Sequence, residues 1–434
     1  MRLDSTKFAL ILVLTCIVAS GSCARRTEAN SQAAPAPAFV SNNPQSIYAA
    51  DPNDPWNRIF RVLFTRTVTV RVSDAFPEHA PFEPFQVRMG SFPIRISKQK
   101  VSRIEIGDRA IEPLYPRFLA IDGPAYVLSE PGFTELTTAL RLAIAETKTR
   151  SPIERALMQA DVWAAYDIVH ESRFRSGADV LLKLLRQFVR NIALTSDEIK
   201  SLRNNYAEAV NANKLPNLFS SESGWLEIEL LPIRMHEHAA DYRRATRVFV
   251  KPRTKPSDPG QFVESLKHHK HLGQVEGVAL VIQNLLLDTS GRVVPSPVFT
   301  DVQFRLFKYD PNKAAIFAEP QQFELSRRKL LTEPASGGFV EYSASSPAYL
   351  TSAGNDYDFA TRLQESDAPI VAPLRTRCTQ CHGDTLAEIS TYSIHYIPPV
   401  PTTRVLKPSD QDRAFYVARR KEEREDFKSL IAAP

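Results

Sequence analysis

Five consecutive residues carry the most specific chemistry in the chain: Cys378-Thr379-Gln380-Cys381-His382, followed by Gly383. On one turn of helix, positions i, i+3 and i+4 share a face, so two thiols and an imidazole point the same way. A C-x-x-C-H pentapeptide attaches a c-type haem. The two sulfurs form thioethers to the haem vinyl groups, and the histidine becomes an axial ligand of the iron. Two other uses of a Cys pair fit less well. A structural zinc site takes four ligands, and no second C-x-x-C pair exists to supply them. A redox dithiol gives no reason for the adjacent histidine. The expectation is one covalent haem c, anchored by Cys378 and Cys381, with His382 on the iron.

The run Pro373-Leu374-Arg375-Thr376-Arg377 into Cys378 and on to Gly383 resembles the haem-binding start of small class I cytochromes c. The resemblance covers only this stretch and implies a methionine further downstream as the second axial ligand. Here the four methionines are Met1, Met89, Met158 and Met235, all before His382. The usual His/Met pair is therefore incomplete, and the axial ligand is a main lever on the potential of the iron. Three sources of a sixth ligand stay open. His395, in an expected strand Thr391 to Ile397, is the nearest histidine downstream. Met235, His236 or His238 could reach in from the body of the protein. In the third case no side chain ligates, and the iron stays open to water or a small molecule.

Other clusters that invite a chemical reading have simpler ones. In an extended segment, His236 and His238 face the same way and could hold a metal. Ala240 stands where a metalloprotease H-E-x-x-H would need its second histidine, and polar strand-end residues beside Asp241 and Arg243 are the expectation. Lys267-His268-His269-Lys270-His271 reads as a solvated loop. Asp161 and Asp167 flank Trp163 on one expected helix. Six positions apart, the carboxylates fall off a common face, and Trp163 reads as core.

The N-terminus reads as an export signal. Arg2 and Lys7 precede a largely apolar run, Phe8 to Ala19, which is too short to span a bilayer as a helix. Ser20-Gly21-Ser22 then leads into Cys23. This end resembles a bacterial lipoprotein signal, which implies that Cys23 is lipidated and becomes the first residue. Ser20 departs from the aliphatic residue usual three places before that cysteine, and plain cleavage after Ala24 is the alternative. Both readings export the chain, and by resemblance to known cytochromes thioether attachment is made outside the bacterial inner membrane. Of four cysteines, Cys16 leaves with the signal. No thiol then remains for structural disulfides, which a disulfide-stapled secreted protein would need.

Lys plus Arg number 54 against 49 Asp plus Glu, with both signs interspersed, giving a net charge of +5. The longest basic cluster, Arg419-Arg420-Lys421, runs at once into acidic residues, which argues against a nucleic-acid partner. With 15 glycines and 32 prolines, the chain has many proline-punctuated connections and no glycine-rich phosphate loop.

The elements that must position this chemistry follow from pattern. Residues 1–23 are the signal and 24–50 a flexible tether, carrying Ala33-Ala34-Pro35-Ala36-Pro37-Ala38. Residues 51–215 hold strands and a helical section. Asp54-Pro55 caps a helix bearing Trp56, Ile59, Phe60 and Leu63 at helical spacing. Thr67 to Val72 and Phe85 to Ile96 alternate as strands. Ser151-Pro152-Ile153-Glu154 is a capping box opening a helix with Leu157, Trp163, Ala164 and Ile168. Val180 to Val189 and Ser196 to Val210 continue as helices, forming a small bundle or a cap on a sheet. Residues 216–350 are β-rich, with strands at Trp225 to Leu231, Thr246 to Val250, Val278 to Leu287 and Val298 to Tyr309. The last presents Val298, Thr300, Val302, Phe304 and Leu306 on one face. Residues 351–434 hold the haem segment, Pro398-Pro399-Val400-Pro401, and a charged helix from Ser409 to Leu430. The expected class is α+β: a helical section, mainly antiparallel strands, and a small, mostly helical C-terminal haem c segment.

The function this predicts is electron transfer by an exported, lipid-anchored, mono-haem c-type cytochrome of the bacterial periplasm or cell envelope, docking a redox partner protein. Two alternatives remain: a haem enzyme or small-ligand sensor with an open, peroxidase-like iron, and a structural or binding envelope lipoprotein.

Overall fold

Asp54 and Pro55 open the first helix as their types require. In the computed structural model, α1 (Pro55–Phe64) begins with the Asp54 carboxylate accepting from the Trp56 backbone N–H at 3.0 Å. Trp56, Ile59, Phe60 and Leu63 are all buried, the stripe their spacing predicted. The structure describes residues 47–64, 66–72, 84–89, 92–97, 101–106, 132–146, 150–171, 178–228, 244–267, 274–310, 315–342, 347–350, 370–373, 405–406 and 412–432. All belong to one unit, residues 38–434; the other unit, 1–37, lies outside them.

The helical section continues with α2 (Gly132–Ala145), α3 (Pro152–Glu171) and α4 (Asp179–Asn191). At the start of α3 the Ser151 N–H donates to Glu154 at 2.8 Å and the Glu154 N–H returns to the Ser151 hydroxyl at 3.4 Å, the reciprocal capping box. The helix expected from Ser196 to Val210 is instead two: α5 (Ser196–Lys200) and α6 (Asn205–Asn211). Asn204 interrupts it, because its side chain accepts the Ala207 N–H at 2.9 Å and caps a new helix there. Thr195 and Glu198 form a second capping box at the head of α5.

The β-rich section forms one antiparallel sheet. Its strands are β5 (Leu226–Ile228), β6 (Arg244–Pro252), β7 (Val275–Leu287), β8 (Val293–Asp310), β9 (Ala315–Leu325), β10 (Phe339–Tyr342) and β13 (Val405–Leu406), in the order β10-β9-β8-β7-β6-β5-β13. Helices packed on this sheet make the class α+β, as the sequence predicts. On β8 the expected face holds: Val298, Thr300, Val302 and Phe304 are buried. Phe299 and Asp301 on the opposite face are buried too, so mid-strand residues are covered on both sides. The β7–β8 register shifts between Ile282 and Gln283 and again between Gln283 and Leu285. Pro295 and Pro297 stand on β8 at this irregularity and have no N–H to give a regular ladder.

A second sheet has the order β11-β12-β1-β4, from Pro347–Leu350, Ile370–Pro373, Arg66–Val72 and Val101–Ile106. The strand expected from Phe85 to Ile96 is a hairpin of β2 (Pro84–Met89) and β3 (Phe92–Ser97), closed at Met89↔Phe92.

After β9 the chain makes α8 (Arg327–Thr332). The charged C-terminal helix breaks at Glu423-Arg424 into α9 (Asp412–Glu422) and α10 (Glu425–Ile431). It is not a solvated appendage. Ala414, Val417, Ala418, Phe427 and Leu430 join Trp56, Leu140, Phe188, Leu285 and Val293 in one buried cluster. Each fully buried Phe or Leu is worth roughly 1.5–3 kcal/mol, so the tail is part of what holds the fold together. A second cluster, with Tyr206, Phe249, Phe299 and Phe304, lies under α6. Asn205 ties that helix to β8: its amide donates to the Phe299 carbonyl at 2.9 Å and accepts the Phe299 N–H at 2.8 Å.

Candidate functional site

Cys378, Cys381 and His382 lie outside the described residues, as do His395, Met235, His236, His238 and the histidines at 268, 269 and 271. Cys23 lies outside them as well. What the structure gives is how the chain enters and leaves the cysteine-bearing segment. On the upstream side, β12 pairs in parallel with β1 (Arg71↔Ile370, Val72↔Val371) and antiparallel with β11 (Leu350↔Ile370 to Pro347↔Pro373). Leu374 to Arg377 then lead to Cys378. On the downstream side, Val405 and Leu406 pair with Ile228 and Glu227. The described residues that flank the segment are thus strand-paired, 370–373 in the four-stranded sheet and 405–406 at the edge of the seven-stranded sheet. The edge is itself braced. Glu227 receives two hydrogen bonds from Arg247, both at 2.6 Å and both buried.

The donor set itself, two thiols and an imidazole at C-x-x-C-H spacing, is the one a covalent haem takes. Among the described residues no group of three or more His, Cys, Asp or Glu side chains could hold a metal. Met158 is completely buried in the helical core, 0 % exposed, and is not placed to ligate anything outside it. The described histidine, His170 on α3, stacks on Tyr166 with centroids 5.6 Å apart.

Asp161 and Asp167 do different structural work. Asp161 accepts from Arg327 of α8 at 2.8 Å, with both side chains buried. Asp167 accepts from Lys421 of α9 at 2.8 Å, and Lys421 reaches Asp426 of α10 at 2.7 Å. The Lys421 ammonium also lies 5.4 Å from the Trp163 ring centre, a cation–π contact. Trp163 packs on Phe427 and is core, as expected. A further buried pair joins Arg150 to Asp54 at 2.8 Å, with Arg150 over the Trp56 ring at 4.9 Å.

Sequence reasoning missed the role of Lys421, which it named only within the basic cluster Arg419-Arg420-Lys421 of a charged helix. The signal was present: Ala414, Val417, Ala418 and Lys421 follow the i, i+3, i+4, i+7 spacing of a buried stripe. Among the described residues no helix is long and apolar enough to cross a membrane. No known protein family, curated protein or solved structure matches the chain.

Proposed function

We propose that this chain is an exported, lipid-anchored, mono-haem c-type cytochrome that transfers electrons to or from a partner protein. The observation that carries the reading is the C-x-x-C-H-G motif at Cys378 to Gly383, in a chain whose start has the pattern of an export signal. Thioethers suit this role because they prevent haem loss outside the cell. The protein then supplies ligands, burial and a docking face, while the cofactor supplies the redox chemistry. In this reading Cys378 and Cys381 are the covalent anchors and His382 the proximal ligand. Cys23 carries the lipid, and the envelope side of a bacterial membrane is the site of action.

One observation favours a second reading. No methionine follows His382, and an iron left without its sixth ligand would bind small molecules, as a haem enzyme or sensor does. An optical spectrum of the full chain, matured with c-type attachment machinery, decides between them. Electron transfer predicts a six-coordinate reduced spectrum that carbon monoxide leaves unchanged. A Soret shift with the gas establishes the open iron. No Soret band at all refutes the haem assignment.

A further inference from the structure

The cleft between α6, the β7–β8 irregularity and α9 has a volume of about 520 Å³, within the size range of small-ligand sites. We propose that it binds an uncharged oligosaccharide, independently of the haem reading.

Charge sets the first limit on the ligand. Among the described residues the lining includes no carboxylate and two cations, Arg247 and Lys200. Arg247 is committed: it is buried, doubly bonded to Glu227, and stacked over the Phe219 ring at 4.5 Å. Lys200 sits at the rim, 67 % exposed, 3.8 Å from Asp197. The floor is therefore electrically neutral, a poor match for a nucleotide or a polyanion.

Hydrogen bonding sets the second. Four carboxamides line the cleft: Asn204, Asn211, Asn217 and Gln283. A carboxamide offers a donor pair and an acceptor side by side, which neighbouring hydroxyls of a sugar can meet together. Asn204 spends its oxygen on the α6 cap and keeps its N–H groups for another partner. Gln283 is only 9 % exposed and donates through Nε2 to the Ser296 carbonyl at 2.8 Å. Because a carbonyl can only accept, this orientation is fixed, and Gln283 forms part of the wall while the three exposed asparagines are left to meet the ligand.

Apolar surface sets the third. Phe415 of α9 is 44 % exposed at the mouth of the cleft, with Pro295 and Pro297 on the facing strand. The negative face of an aromatic ring suits the C–H face of a pyranose. An apolar ligand would strand the carboxamides. A peptide adding as a β-strand would find prolines in place of backbone N–H donors.

The test titrates the full chain with maltotriose, cellotriose and chitotriose, followed by saturation-transfer NMR and calorimetry. Saturable one-to-one binding of at least one is expected. Phe415→Ala should weaken it about fivefold, and Asn217→Ala about threefold, by loss of one stacking or hydrogen-bonding contact each. Both positions are exposed, and circular dichroism should show both variants folded. Absence of saturation by any of the three up to about 10 mM, weaker than the weakest useful site, overturns the proposal. So does an affinity untouched by both substitutions, or displacement of the sugar by inorganic phosphate, which would make the cleft an anion site.

Discussion

Lys421 is the residue on which the C-terminal tail turns. Its ammonium is fully buried between Asp167 of α3 and Asp426 of α10. Removing one partner from a buried charge group costs far more than the group contributes net, because the remaining charges lose their compensation. Lys421→Met should therefore lower stability by about 3–5 kcal/mol in urea unfolding; a loss no larger than that of a surface lysine would show that the tail does not depend on it. The same site fixes a pH dependence. Burial alone would raise the Asp426 carboxyl, but the charge and hydrogen bond of Lys421, with Arg424, outweigh it and hold the group down at about 2 against an ordinary 3.8. Between those values the unfolded chain binds the extra proton. The contribution of Asp426 is thus complete above the ordinary value and lost as pH falls through about 2. Asp426→Asn should flatten that acid limb of the stability profile. The pairing was not legible in the sequence, because Lys421 and Asp167 are separated by 254 positions; only the stripe that carries Lys421 was.

Elements were more legible than their ends and joints. The periodicity behind α1 predicted its buried stripe; on β8 it predicted one buried face but not Phe299 and Asp301 on the other, because a strand covered on both sides leaves no exposed face for periodicity to record. One failure came where a single residue outweighs a periodic pattern: Asn204 starts a new helix. The turn before β10 shows the same local control. Gly337 has φ +70°, and a Cβ there would lie 2.2 Å from the Asn205 carbonyl oxygen, in the helix that braces β8. Gly291 also has positive φ, +82°, but open space around it. Gly291→Ala should cost only the left-handed backbone penalty, roughly 1–2 kcal/mol. Gly337→Ala should cost clearly more, read as a larger drop in denaturation midpoint. Equal losses at the two positions would mean that the contact with α6 yields freely. The reading proposed for the pentapeptide rests on local spacing alone. Its flanking strand pairs could not be read, because β12 pairs with residues some three hundred positions away, Arg71 with Ile370.

For the molecule as a whole, the proposed place of action is set by its first residues and the proposed chemistry by its last eighty or so. Cys23→Ser tests the former: the protein should move from the membrane fraction to the soluble fraction after cell lysis, with its haem spectrum unchanged. Retention in the membrane would favour another mode of attachment. The buried tail has one more effect, on timing. A chain is made from its N-terminus, so α1 exists long before α9 and α10, yet Trp56, Phe188, Phe427 and Leu430 belong to a single core. That core cannot close until Leu430 has emerged. Cys378 and Cys381 come out ahead of the helices that complete it, and so the two thiols precede the finished fold. The proposed attachment of haem to them has an interval in which the substrate is still an open chain, and the tail that arrives afterwards ends it.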